Sequence, residues 1–347
     1  GLRMGCEIYH TLGKILRSMG YASTVGDEGG FAPNLSDDEE ALELICRAIE
    51  ESGYDTNHVK IALDCAASEW YTDDGIYRMP KRQKQYNKAE LIEYWERLAR
   101  KYPIFSMEDG LDQRDFEGWA TLTERLGNQI LLVGDDLFVT NEKRLCEGIR
   151  RGAANAILIK PNQIGSLSET LNVISTAKNA GYGYIPSHRS GETEDTTLAD
   201  LAVAVGAHLI KTGAPCRSER VAKYNRLLRI ESSLGSSAQY GFDLKKQTEN
   251  KKKLARFGRI ADYAFSGVVC LLFATLFISS FVISCTDDAK AATRSAFRVV
   301  QTGSMAKKNE KNTYLEKNDL NDQIQTFDLI RTEALPDEME LELYDIV

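Results

Sequence analysis

Single charged residues close each of six short apolar runs in the first two-thirds of this 347-residue chain. Asp64 ends VKIALD, Glu108 lies in YPIFSMED, Asp135 in ILLVGDD, and Lys160 ends AILIK. His188 and Arg189 lie in YGYIPSHRS, and Lys211 lies in HLIKTG. Carboxylates are hard oxygen donors that suit a divalent cation such as Mg²⁺. A lysine among cations has its ammonium form destabilised, which makes it a usable base. Three acids and two lysines meeting at one place describe a divalent-metal site with bases beside it.

The elements that must bring them together are short strands alternating with helices. The runs are apolar at nearly every residue, as expected for strands buried on both faces. Between them, SDDEEALELICRAIEESG opens on Ser36 with Glu39 three residues later, a capping-box pattern. Leu42, Ile45, Cys46 and Ile49 follow at helical spacing, and Gly53 supplies a stop. Asn87 with Glu90 opens a second helix, whose Leu91, Tyr94, Trp95 and Leu98 face inward, and Ser166 with Glu169 opens a third. This alternation predicts an α/β fold with a parallel sheet. A parallel barrel gathers the carboxyl ends of its strands around one mouth, where distant residues converge. A closed barrel of that kind needs eight strands against the six runs seen. The chain also opens in an apparent helix, so the barrel is expected to be incomplete at its N-terminal end.

Composition is that of an ordinary globular protein, 27% charged and 43% hydrophobic. The net charge of −8 argues against a nucleic-acid partner, which would favour a basic face. Seven cysteines show no metal-binding or CxxC spacing and read as reduced thiols. Residues 264–285, AFSGVVCLLFATLFISSFVISC, carry no charge across 22 positions. That is enough for a helix to span a hydrocarbon core of about 30 Å. KKKLARFGR (251–259) precedes this run, so the N-terminal body is expected in the cytoplasm and the tail from Thr286 outside. Membrane lipid would then be a partner through residues 264–285.

Seven stretches carry a resemblance to a known family. They are GDEGGFAPNL (26–35), ALDCAASEWY (62–71), SMEDGLDQRDFEGW (106–119), VGDDLFVTN (133–141), LIKPNQIGSLSET (158–170), SHRSGETEDTTLADLAV (187–203) and IKTGAPCRSERVAKYNRLLRIE (210–231). In order and spacing they resemble the C-terminal barrel of enolase, a TIM-type (β/α)8 barrel. The resemblance implies a lyase of glycolysis that dehydrates 2-phosphoglycerate to phosphoenolpyruvate. It implies Mg²⁺ held by Asp64, Glu108 and Asp135, Lys160 as the base, and Glu28 as the acid that helps the β-hydroxyl leave. His188, Arg189, Ser190 and Lys211, with Lys160, correspond to groups that hold the substrate. Asp27 and Asp136 are expected to orient loops. Enolases also carry an N-terminal α+β domain, two earlier barrel strands, a further catalytic glutamate and histidine, and a mobile serine loop. None of these is expected in this chain, and a homo-oligomer is left open without that domain.

The remaining residues resemble a second family. The apolar run, then FRVVQTGSM (297–305), FDLI and LYDIV, is similar to the opening of a type I signal peptidase. That resemblance implies Ser304 as a nucleophile, with its activating base beyond the last residue. The expected order is a barrel over 1–235, a basic linker over 236–263, a transmembrane helix over 264–285, and a small β-rich extracytoplasmic segment over 286–347. The alternatives to a dehydrating enzyme are a membrane-anchored serine peptidase fusion and a noncatalytic tethered barrel.

Overall fold

Each predicted strand run is followed by a helix that covers it, and the order of elements follows from that repeat. The computed structural model describes residues 1–79 and 84–239. Helices α1 (Leu2–Ser18) and α2 (Asp38–Glu51) lead into β1 (Ile61–Asp64). Next come a short hairpin, β2 (Tyr77–Met79) and β3 (Lys84–Tyr86), then α3 (Lys88–Lys101) and β4 (Ile104–Glu108). The repeat continues with α4 (Phe116–Leu126), β5 (Leu131–Gly134), α5 (Glu142–Arg151) and β6 (Ala156–Ile159). It closes with α6 (Pro161–Ile164), α7 (Leu167–Asn179), β7 (Gly183–Pro186), α8 (Thr197–Ala204) and α9 (Ser218–Leu234).

The main sheet is parallel throughout, in the order β1-β4-β5-β6-β7. Period-two alternation divides its side chains between two cores. Leu132, Ile157 and Ile159 join the layer under the helices. Leu131, Val133, Ala156, Leu158 and Ile185 form the inner cluster. Both faces of β5 and β6 are buried, which explains their unbroken apolar character. The sixth run differs from expectation. HLIKTG contributes one parallel bridge, Ser187 to Lys211, rather than a strand. Gly213 turns the backbone to φ +84° two residues later, which ends the extended stretch.

Local caps follow the sequence with one correction. Asn87 and Glu90 form the predicted reciprocal capping box, and the Ser166 hydroxyl accepts from Glu169 N–H. At α2 the cap is Asp37, whose carboxylate accepts Glu40 N–H at 2.9 Å, rather than Ser36. Glu40 binds back to Ser36, whose backbone N–H and hydroxyl donate to it at 2.8 and 2.6 Å. Glu39 is instead drawn to Arg97 and Lys101 on α3. The hairpin was not expected, because its two strands are three residues each and rich in Lys, Arg and Gln. Buried Tyr77 anchors it by accepting Asp112 N–H at 2.9 Å.

Among the described residues no helix is long and apolar enough to cross a membrane. The apolar run 264–285 and Ser304 lie outside the described residues.

Candidate active site

The alternation that fills the inner cluster continues one step past the strand ends. Asp135 follows Leu131 and Val133 at even spacing, and Lys160 follows Ala156 and Leu158, so both rise over the inner cluster. Asp64 and Glu108 are register partners on adjacent strands, which sets their side chains beside each other.

Lys211 sits between those two acids. Its Nζ donates at 2.8 Å to Asp64 Oδ2 and at 2.8 Å to both oxygens of Glu108. Burial alone would lower the Lys211 ammonium value, but Glu108 and Asp64 outweigh it and hold the group charged well above the usual lysine range. Glu108 is 6% exposed. Burial pushes its carboxyl up to about 8 against the pull of Lys211, and Asp64 and Asp135 add to the rise. One shared ammonium therefore does not neutralise the acids around it. On the next strands Lys160 Nζ pairs with Asp135 Oδ2, and Gln163 Nε2 approaches Asp135 Oδ1 at 3.4 Å. Thr140 fixes Lys160 from behind by accepting its backbone N–H at 2.9 Å.

A third cluster forms where the GDEGG turn meets the loop after β7. Glu28 Oε1 accepts from the Ser190 hydroxyl at 3.2 Å, and Glu28 Oε2 lies 3.3 Å from His188 Nε2. That second contact is close but out of line, since among the described residues His188 Nε2 has no hydrogen-bond partner. The turn is held by backbone bonds from Gly26 N–H to Gly30 O and from Ala214 N–H to Glu28 O. Gly29, at φ +80°, is obligatory there, because a Cβ would sit 2.6 Å from the Cys216 carbonyl oxygen. Arg189, expected beside these groups, is turned to Asn162 Oδ1 at 3.0 Å.

The residues expected to orient loops make their contacts through the backbone. Asp27 contributes its backbone carbonyl to Arg220, and Asp136 its backbone N–H to Asp109. The orienting carboxylate is Asp109, which accepts Asp135 N–H at 3.0 Å and Asp136 N–H at 2.9 Å. It lies just past the end of β4 in the left-handed backbone region, at φ 46°, which turns its carboxylate onto this neighbouring loop. Burial pushes Asp109 up to about 7, with Asp135 and Asp136 adding and the two N–H groups opposing. The adjacent acid pair in SMEDG was the available signal. Arg220 and Lys223 on α9, each 1% exposed, were also missed. Their spacing of three on one helix was the only trace of a shared direction.

Backbone strain marks the same places. Ala66 (φ 44°) and Asp109 (φ 46°) lie in the left-handed region just past Asp64 and Glu108, and Val139 (φ 46°) and Thr140 (φ 50°) do so in the loop that follows Asp135. Non-glycine residues there cost of order 1–3 kcal/mol each and persist where surrounding contacts over-determine them.

This arrangement fits a divalent cation. Carboxylate oxygens of Glu108, Asp109 and Asp135 all lie within 4.8 Å of one another, and all three residues are buried. Asp109 is committed to backbone N–H groups, whereas Asp64, beside Glu108, is not. Asp64, Glu108, Asp109, Asp135 and Asp136 outnumber Lys160 and Lys211, and burial lifts three of the five acids. Hard oxygen donors in charge excess are the surroundings Mg²⁺ favours. Residues 1–249 match the family described as enolase, C-terminal TIM barrel domain.

Proposed function

The chain belongs to the enolase C-terminal barrel family, and from that premise we propose that it dehydrates 2-phosphoglycerate to phosphoenolpyruvate with Mg²⁺. Membership supports a lyase-type enzyme of the enolase superfamily with a divalent metal. The substrate and the residue roles are our reading. Its main support is the pairing of Lys160 with Asp135 and of Lys211 with Glu108 and Asp64, acids that stand at the ends of neighbouring parallel strands.

Asp64, Glu108 and Asp135 would hold the ion. Bound there, Mg²⁺ supplies positive charge against the negative charge that builds on the substrate carboxylate as C2 is deprotonated. Lys160 Nζ takes the C2 proton. Asp135 touches Lys160 and belongs to the acidic group, so one carboxylate would serve both the base and the ion. The C2 electron pair then forms the C2–C3 double bond as the C3–O bond breaks. Glu28 gives the departing hydroxyl its proton, so water leaves. Ser190, already on Glu28 Oε1, and His188 flank that acid. Arg189 and Lys211 are the cations for the substrate phosphate and carboxylate.

Phosphoenolpyruvate formation from 2-phosphoglycerate, followed by ultraviolet absorbance, tests the reading. Product should appear with Mg²⁺, stop on adding a chelator, and be lost in Lys160→Ala. Product formation that survives in Lys160→Ala, or none from the wild-type chain with Mg²⁺, would overturn it.

A further inference from the structure

Arg220 projects from α9 into the protein interior, where it is 1% exposed. Its partners are an imidazole and three backbone carbonyls rather than a carboxylate. NH1 donates to His188 Nδ1 at 2.5 Å and to Arg189 O at 2.7 Å. NH2 donates to Ser190 O at 2.7 Å and to Asp27 O at 3.0 Å. Those acceptors come from two segments far apart in sequence, the GDEGG turn and the loop after β7. Among the described residues Arg220 has no anionic partner, which is expensive for a buried cation, and its hydrogen bonds go instead to the backbone that carries the proposed acid cluster. Only the planar guanidinium fork can reach four such acceptors at once.

We propose that Arg220 is a positioning residue that fixes the tautomer of His188 and locks its loop against the turn carrying Glu28. A guanidinium has no acceptor, so the His188 nitrogen facing it, Nδ1, must accept. The neutral ring then carries its proton on Nε2, the atom that lies 3.3 Å from Glu28 Oε2. Burial pulls His188 down to about 4; Arg220 and Lys211 add to this, while Glu28 and Glu192 oppose it. The neutral ring is therefore the form present around neutrality. Lys223, one turn further along α9, holds the same loop by donating to Thr193 O, but does not touch the imidazole. This assignment deepens the dehydration reading, since it serves the arm assigned to the leaving group.

The test is the ring ¹⁵N spectrum of the chain labelled at its four histidines. His188 signals are assigned by their loss in His188→Gln. From about pH 6 to 8, His188 should show a pyridine-type Nδ1 and a pyrrole-type Nε2. In Arg220→Met those two signals should move toward a mixture of tautomers. In Lys223→Met, which loosens the same loop, they should stay in place. A wild-type ring protonated at Nδ1 would overturn the proposal, and that observation needs no folded variant. An unchanged ring in Arg220→Met, or an equal shift in Lys223→Met, would also overturn it. None of these readouts depends on turnover, so loss of the dehydration reading would leave the tautomer result standing, and the reverse.

Discussion

Glu108→Gln should make the barrel less sensitive to alkaline pH, because it removes a carboxylate whose ionisation the fold resists. Burial lifts the Glu108 carboxyl from an ordinary 4.5 to about 8. The native chain thus keeps a proton that the unfolded chain has already lost in that interval. Stability falls as pH rises from about 4.5 and levels off above about 8. At ~1.36 kcal/mol per unit, the ionised group costs on the order of 5 kcal/mol at most, nearly all of it appearing between about pH 5 and 9. Asp109 shifts in the same direction but is present in both proteins, so their difference isolates Glu108. Lys211 is held above the ordinary lysine value, so its contribution is lost only at higher pH. Urea unfolding in chelator at about pH 5, 7 and 9 is the assay. Wild type should lose up to several kcal/mol relative to the variant over that range, and added Mg²⁺ should restore wild type alone. Parallel pH profiles for the two proteins would refute the view that Glu108 is a buried acid lacking sufficient positive charge.

Two further outcomes follow from the same geometry. Mg²⁺ should raise the wild-type melting temperature, with stabilisation of about 2.7 kcal/mol at a hundredfold excess over Kd, and Asp135→Asn should remove most of that gain; an unchanged wild-type midpoint would count against an assembled metal site. Gly29→Ala should destabilise the folded chain by about 1–3 kcal/mol and impair dehydration more than Mg²⁺ binding, because the new Cβ would meet the Cys216 carbonyl and move Glu28; urea unfolding and calorimetric Mg²⁺ titration give the two readings.

The strands and most helices were legible because burial on both faces of a parallel sheet leaves unbroken apolar runs, and caps such as Asn87 with Glu90 are local. The ends of those runs also carry Asp64, Glu108, Asp135 and Lys160, which alternation brings to one end of the sheet, while Lys211 reaches Asp64 and Glu108 from a segment that forms only a bridge. What was not legible depends on partners distant in sequence. The cap at Asp37 was decided by where Glu39 and Glu40 found partners, Arg97 and Lys101 for one and Ser36 for the other. The hairpin Tyr77–Met79 with Lys84–Tyr86 has too few apolar positions to register as strand. Asp109 was not singled out, because its role lies in contacts with the N–H groups of Asp135 and Asp136, distant in sequence. Arg220 and Lys223 were not singled out, because nothing local indicates that α9 turns them inward onto loop carbonyls.

The most direct test of the whole account is exchange of the C2 proton of 2-phosphoglycerate with deuterated solvent, followed by NMR in the presence of Mg²⁺. Wild type should exchange that proton and Lys160→Ala should not, because Lys160 Nζ is the base we propose for its removal. Glu28→Gln should retain exchange while losing most phosphoenolpyruvate formation, because the role we propose for Glu28 is confined to the departing hydroxyl. Exchange that persists in Lys160→Ala, or equal loss of both reactions in Glu28→Gln, would contradict the division between base and acid arms at this barrel mouth.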